Sequence, residues 1–309
     1  MNSVQNIFAE CITESASKQT YYTIRLLVDR ERVADAYRAY AYFRWLDDTL
    51  DERFVSATKR LAFLERQKAL LETCFQGNFR SNTTIEENML IELVRGDQKK
   101  NCGLQIYLRN MMQVMDFDAM RRGRLISQAE LNEYTRWLAT AVTEAMHYFI
   151  GHDSYSPHDE TRYLAVSGAH IAHMLRDTFD DIQAGYYNIP REVLEVNHIH
   201  PQDTHSKGYC AWVKSRVQLA RSCFQAGRDY LASVGERRCQ LAGMAYTARF
   251  ECVLDMIERE DYCLRPDYSE RKSLGAGVQM GLSVLSSVLN TRRTRSLPQP
   301  VISQSLREL

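Results

Sequence analysis

Two acidic stretches carry the residues best suited to chemistry. The first reads Tyr40-Ala41-Tyr42-Phe43-Arg44-Trp45-Leu46-Asp47-Asp48-Thr49-Leu50-Asp51-Glu52. On a helix advancing about 100° per residue, Tyr40, Arg44, Asp47 and Asp51 fall within about 60° of arc. Carboxylates one turn apart on one face repel each other, and a cation between them relieves the repulsion. Oxygen-only donors suit Mg²⁺, which takes one or two carboxylates together with substrate phosphates. The second stretch is His170-Ile171-Ala172-His173-Met174-Leu175-Arg176-Asp177-Thr178-Phe179-Asp180-Asp181. By the same spacing His170, His173, Asp177 and Asp181 share roughly 80° of one face. Each stretch alone also fits a solvated helix end. The Tyr, Phe, Trp, Leu and Ile interleaved with the acids point instead to an enclosed site.

Long helices must present these faces. The first 156 residues hold no proline, and apolar residues recur at three- and four-residue steps from Arg32 to Glu52. Similar periods run over Ser56–Cys74, Thr84–Val94, Tyr107–Met120, Gln128–Ile150, Asp159–Ile182, Gly208–Val234 and Glu236–Arg259. No hairpin signal separates alternating runs. Breaks are expected at Gly77–Thr83, Gly96–Gly103, Gly151–His158 and Asn188–Ser206, the last being long, rich in His and Pro, and suited to a flap. The expectation is one all-α domain over residues 1–290, closed by a core helix at Leu274–Leu289. Residues 291–309 read as a basic, flexible tail.

Composition supports a globular chain: of 309 residues, 45% are hydrophobic and 25% charged. With 39 basic and 39 acidic side chains, broad phosphate neutralisation of nucleic acid is not expected. The eight cysteines form no C-x-x-C pair and read as free, mostly buried thiols. The N-terminal MNSVQNIFAECITES lacks a basic n-region and an apolar h-region, and Leu274–Leu289 falls short of a span. A cytoplasmic location is expected.

The two stretches resemble motifs of the squalene/phytoene synthase family, the head-to-head branch of the trans-isoprenyl diphosphate synthases. The first is similar to its Y-x-x-x-R-x-x-D-D-x-x-D segment. Upstream, Ser17-Lys18-Gln19-Thr20-Tyr21-Tyr22 with Arg25-Leu26-Leu27 resembles its S-K-x-F-Y…R-L-L segment. Leu175-Arg176-Asp177 through Asp181, Gly185 and Ile189-Pro190 resemble its L-R-D-x-x-E-D…R-G-R-x-Y-L-P segment. Phe250 through Ile257, with Asp261-Tyr262, resemble its Y-x-x-x-L-D-x-I…Y segment. The resemblance runs in order from about residue 15 to 289.

It implies a single bundle of long helices around a central cavity, the isoprenoid synthase fold. It also implies a metal set of Asp47, Asp48, Asp51, His173, Asp177 and Asp181 for Mg²⁺, with Mn²⁺ as the alternative ion. Asp47, Asp51, Asp177, Asp181 and Arg44 would drive ionisation of a C15 or C20 prenyl diphosphate. Ser17, Lys18, Tyr21, Tyr40, His170, His173, Arg176 and Phe250 would contact it, with Tyr40, Tyr21 or Phe43 facing a carbocation. Asp116 or Asp118 stands near the family's further acidic residue.

Several positions depart from the pattern. His173 replaces a metal-binding Asn and His170 a Gln; either histidine reads equally as a hydrogen-bonded core residue. The R-G-R-x-Y-L-P segment has become Ala184-Gly185-Tyr186-Tyr187-Asn188-Ile189-Pro190, without its arginines. Two cavity-wall glycines are replaced within Ala139–Thr143, and Phe250 lacks the family's hydroxyl. Arg265, Arg271 or Lys272 is expected to replace one lost phosphate contact. The leading expectation is head-to-head coupling of two prenyl diphosphates. A terpene cyclase acting on one diphosphate is the alternative, and a non-catalytic assembly factor the third. Contact with a membrane surface fits an apolar product; NADPH use and oligomeric state are not fixed by these residues.

Overall fold

The computed structural model describes residues 2–52, 56–79, 81–97, 99–152 and 154–268, all of whose regular elements are helical. The proposed Leu274–Leu289 helix, the 291–309 tail, Arg271 and Lys272 lie outside the described residues. The chain groups into two compact units, one of residues 1–120 and 144–153, the other of 121–143 and 154 onward.

The first unit contains α1 (Asn2–Ala16), α2 (Lys18–Leu27), α3 (Val33–Glu52), α4 (Ala57–Phe75), α5 (Ile85–Gly96) and most of α6 (Gly103–Arg121). Its organising element is α3. Ala36, Tyr37, Ala39, Tyr42, Phe43, Leu46 and Leu50 form its buried face. Polar bonds fix its register. Arg38 donates to Asn6 Oδ1 of α1 at 2.7 Å, and Tyr107 Oη of α6 to the Ala39 carbonyl at 3.1 Å. The buried Tyr42 hydroxyl donates to Gln67 of α4 at 3.2 Å, and Gln67 donates to Glu87 of α5 at 2.9 Å. Glu87 also closes a capping box with Thr84. At the entry to α3, the Asp29 carboxylate accepts from Gly151 N–H at 3.0 Å.

The second unit is built on α8 (Leu164–Arg176), α11 (Lys207–Ser233) and α12 (Arg237–Arg259), with the short α9 (Thr178–Ala184) and α10 (Arg191–Asn197). Helix α7 (Gln128–Phe149) contributes its residues up to 143. Helices α8 and α11 approach closely because glycines stand at the crossing. A Cβ on Gly168 would lie 3.0 Å from Phe224 and the Ala220 carbonyl, and one on Gly227 only 2.6 Å from the Ala165 backbone.

Two expectations are corrected. The period over Asp159–Ile182 predicts one helix, but the helix breaks at Asp177. There Thr178 Oγ1 donates to the Met174 and Leu175 carbonyls at 2.9 and 3.1 Å, competing with the backbone. The 188–206 segment is not one long flap. Pro190 precedes a helix, α10, whose start is pinned by Arg191 N–H on the Ile126 carbonyl at 2.8 Å. All eight cysteines are free thiols; Cys74, Cys102, Cys223 and Cys239 are buried and Cys11 is exposed. No described helix is long and apolar enough to cross a membrane.

Candidate active site

In the first unit, the acidic face of α3 gathers as the spacing predicts. Arg44 forks onto Asp48, its Nε donating at 3.0 Å, and its Nη1 stands 3.7 Å from Asp47 Oδ2. Burial, followed by the charges of Asp51 and Asp118, pushes the half-buried Asp47 carboxyl up to about 7. Arg44 opposes this and Asp48 adds to it. Asp118 comes from α6, so the acidic group extends beyond the α3 motif. Nearby Asp116 pairs with Lys68 at 3.3 Å.

Tyr40 is half-buried on the same α3 face and hydrogen-bonded with Ser17; burial raises its hydroxyl, with Arg44 opposing. Ser17 also caps α2, its Oγ accepting from Thr20 N–H at 3.2 Å. Lys18 is exposed and pairs with Glu14 at 3.3 Å, a surface contact of little net worth. Tyr21 lies deeper, stacked on Tyr37 and bonded to Arg25 at 2.7 Å and Glu10 at 3.3 Å. Phe43 is buried edge-on against Tyr107.

The state of Asp47 sets a pH dependence. Its ordinary value is 3.8, so between about pH 4 and 7 the folded chain keeps a proton that the unfolded chain releases. Folding then binds a proton, and the Asp47 contribution to stability declines as pH rises through that window. Asp47→Asn removes the decline. Discounted for solvent exposure, the effect is about 1 kcal/mol. The variant should therefore melt about 2–4 °C above the parent at pH 8. Both proteins should melt together near pH 4, and identical melting at pH 8 would contradict the assignment.

The second acidic stretch, in the second unit, is electrostatically the opposite. Arg176 forks onto Asp177, and His173 Nε2 stands 2.8 Å from Asp177 Oδ2. Burial alone would raise the Asp177 carboxyl; the bonds from Arg176 and His173 outweigh it and hold it well below the usual carboxylate range. Asp181 accepts from Asn188 Nδ2 at 2.6 Å, and Asn188 in turn accepts from Arg121 at 2.8 Å. His173 is exposed and its ring lies 5.9 Å from the buried Phe250. His170 is buried, yet neither ring nitrogen has a hydrogen-bond partner. The reading of both histidines as hydrogen-bonded core residues is therefore corrected.

Around Gly185, where the motif arginines are missing, two other arginines approach that the sequence does not point to. Gly185 keeps its left-handed turn (φ 87°), its carbonyl accepting from Gly123 N–H at 2.7 Å. That turn brings Arg121 and Arg122 to the Tyr186 ring, at 5.0 and 5.8 Å. Arg265, the described candidate for a replacement cation, is paired with Glu260 at 3.6 Å and stacked on Tyr268.

Among the described residues no three His, Cys, Asp or Glu side chains are arranged to hold a metal by themselves. The Asp47 group still fits a hard divalent ion, because its donors are all oxygen and the charges of Asp51, Asp118 and Asp48 press on Asp47 against that of Arg44. The Asp177 group fits less well in this geometry, since its own Arg and His already answer the charge.

The squalene/phytoene synthase family model matches residues 13–274. The chain belongs to the squalene/phytoene synthase family. Among solved structures, the squalene synthase HpnC from Alicyclobacillus acidocaldarius is 20% identical with a TM-score of 0.68, covering 85% of this chain and 97% of its own. A dehydrosqualene synthase in complex with a ligand is 18% identical with a TM-score of 0.72, over 94% of this chain and 98% of its own. TcSQS with the ligand BPH1237 gives 13% and 0.67, over 98% and 95%. These likenesses show the shared isoprenoid synthase fold. No curated protein sequence matches. Within this squalene/phytoene synthase-type fold, the first acidic motif keeps a charge that a cation can answer. The second meets its charge internally.

Proposed function

We propose that this chain is a Mg²⁺-dependent prenyltransferase coupling two prenyl diphosphates, C15 or C20, head to head with release of diphosphate. The observation that supports it is the α3 face of a squalene/phytoene synthase family member, where carboxylates outweigh the cation around Asp47. Asp47 and Asp51 would hold the ion. Bound there, Mg²⁺ (or Mn²⁺) supplies charge neutralisation to the departing diphosphate. Arg44, tied to Asp48 only by an exposed pair, can turn its fork onto phosphate oxygens. Lys18 is equally able to leave Glu14. As the C–O bond breaks, its electron pair leaves with diphosphate, and the Tyr40 ring face suits the allylic cation left behind. An apolar product fits work in the cytoplasm at a membrane surface.

The experiment is diphosphate release from C15 and C20 prenyl diphosphates with Mg²⁺ and then with EDTA. Release that survives EDTA contradicts the reading. The internally answered charge of Asp177 favours a second reading, a cyclase that ionises one diphosphate. His173 tests the role of the second motif. His173→Asn restores an oxygen ligand and can still bond Asp177, so Mg²⁺-dependent turnover should be kept or raised. Complete loss would show that the imidazole has a task of its own.

A further inference from the structure

The second unit buries a charge that no described carboxylate answers. On α11 the buried stripe runs Tyr209, Trp212, Val213, Arg216, Val217, Ala220, Cys223 and Phe224, with Arg216 the one charged member of that run. Arg216 is 6% exposed, and its Nη2 has no hydrogen-bond partner. Burial pushes it down to about 10, and only the Cys223 thiol acts in its favour. A guanidinium does not escape burial by losing its proton at neutral pH. Left unanswered, such a charge is strongly destabilising.

Two further polar side chains are orphaned nearby. Trp212 stands one turn before Arg216 on the same face of α11, and its indole N–H is buried without an acceptor. His170 on α8 is 4% exposed with both ring nitrogens unbonded. Its ring meets the Tyr134 ring edge-on at 5.0 Å. Burial first, then the charges of His173, Arg121 and Arg216, hold it neutral, so it offers one N–H. Water would satisfy donors but leave the charge. A negatively charged acceptor answers both.

We infer that the interior of this unit is an oxyanion site, in which Arg216, Trp212 and His170 hold a carboxylate or phosphate group. The site uses no residue of the Asp47 group; it shares His170 with the set that the family resemblance turns toward the prenyl diphosphate, while Arg216 and Trp212 stand outside that set. A ligand with an apolar body and an anionic end would suit the surroundings, because Trp212 belongs to a core cluster with Ile171, Val213, Val217 and Phe250.

The test uses the full chain in EDTA, which removes any metal-mediated phosphate binding. Inorganic phosphate, inorganic diphosphate and acetate are titrated separately by calorimetry and thermal melting. At least one anion should bind saturably at one site and raise the melting temperature; phosphate against acetate tells which group is preferred. Arg216→Gln should weaken that anion about 10- to 100-fold and raise the melting temperature of the ligand-free protein. Trp212→Phe keeps the packing and removes one donor, so it should weaken binding about 3- to 10-fold. If Arg216→Gln does not fold, Trp212→Phe decides alone. No saturable binding by the parent, or parent-like affinity in the folded variants, overturns the inference.

Discussion

Asp47→Ala combined with Asp51→Ala should abolish diphosphate release, lowering turnover by about three orders of magnitude or more. The two carboxylates are the α3 ligands for the ion that offsets leaving-group charge, and Arg44 alone is one cation against a diphosphate. The same change removes the Asp47 carboxyl, which burial and then the charges of Asp51 and Asp118 hold near 7. The double variant should therefore be folded, more stable than the parent above pH 7, and inactive. Mg²⁺ at pH 8 should raise the melting temperature of the parent and leave that of the variant unchanged. Undiminished turnover sinks the assignment. Loss of activity with loss of fold would require repeating the test with Asp47→Asn alone.

Gly227→Ala should cost about 2–3 kcal/mol, a fall of about 4–10 °C in melting temperature. Alanine is the better helix former by about 1 kcal/mol, so at an open helical position this change would stabilise. Here the new methyl meets the Cα, Cβ and N of Ala165 at 2.6 Å, and backbone does not swing aside. The two helices must separate, and α8 carries His170 and His173 and ends at the Asp177 fork. Calorimetry checks the first part; an unchanged or higher melting temperature contradicts the packing of α8 on α11.

The α3 site was readable because its acids share one period with an aromatic stripe, and a straight helix keeps them on one face. The second stretch was less so. Its period continues through Asp177, where hydroxyl competition from Thr178 breaks the helix. Whether Arg176 turns outward or onto Asp177 is decided by tertiary packing, which spacing does not encode. Helix α10 was hidden because Pro190 and the histidines suggest loop, although proline is well placed just before a helix. Arg216 leaves a trace, a charge at an apolar position of the Gly208–Val234 period. Arg121 and Arg122 leave none, since they reach Tyr186 through tertiary contacts, the Gly123–Gly185 turn bond and their own bonds to Asn188 and Ala184.

The most direct test of the central claim is the mass of the product. Purified protein is incubated with C10, C15, C20 and C25 prenyl diphosphates and Mg²⁺, with inorganic diphosphate followed and the extract analysed. Head-to-head coupling predicts diphosphate release and a product with twice the carbon count of its substrate. A product with the substrate's own carbon count, or a folded protein that releases diphosphate from none of the four, contradicts it.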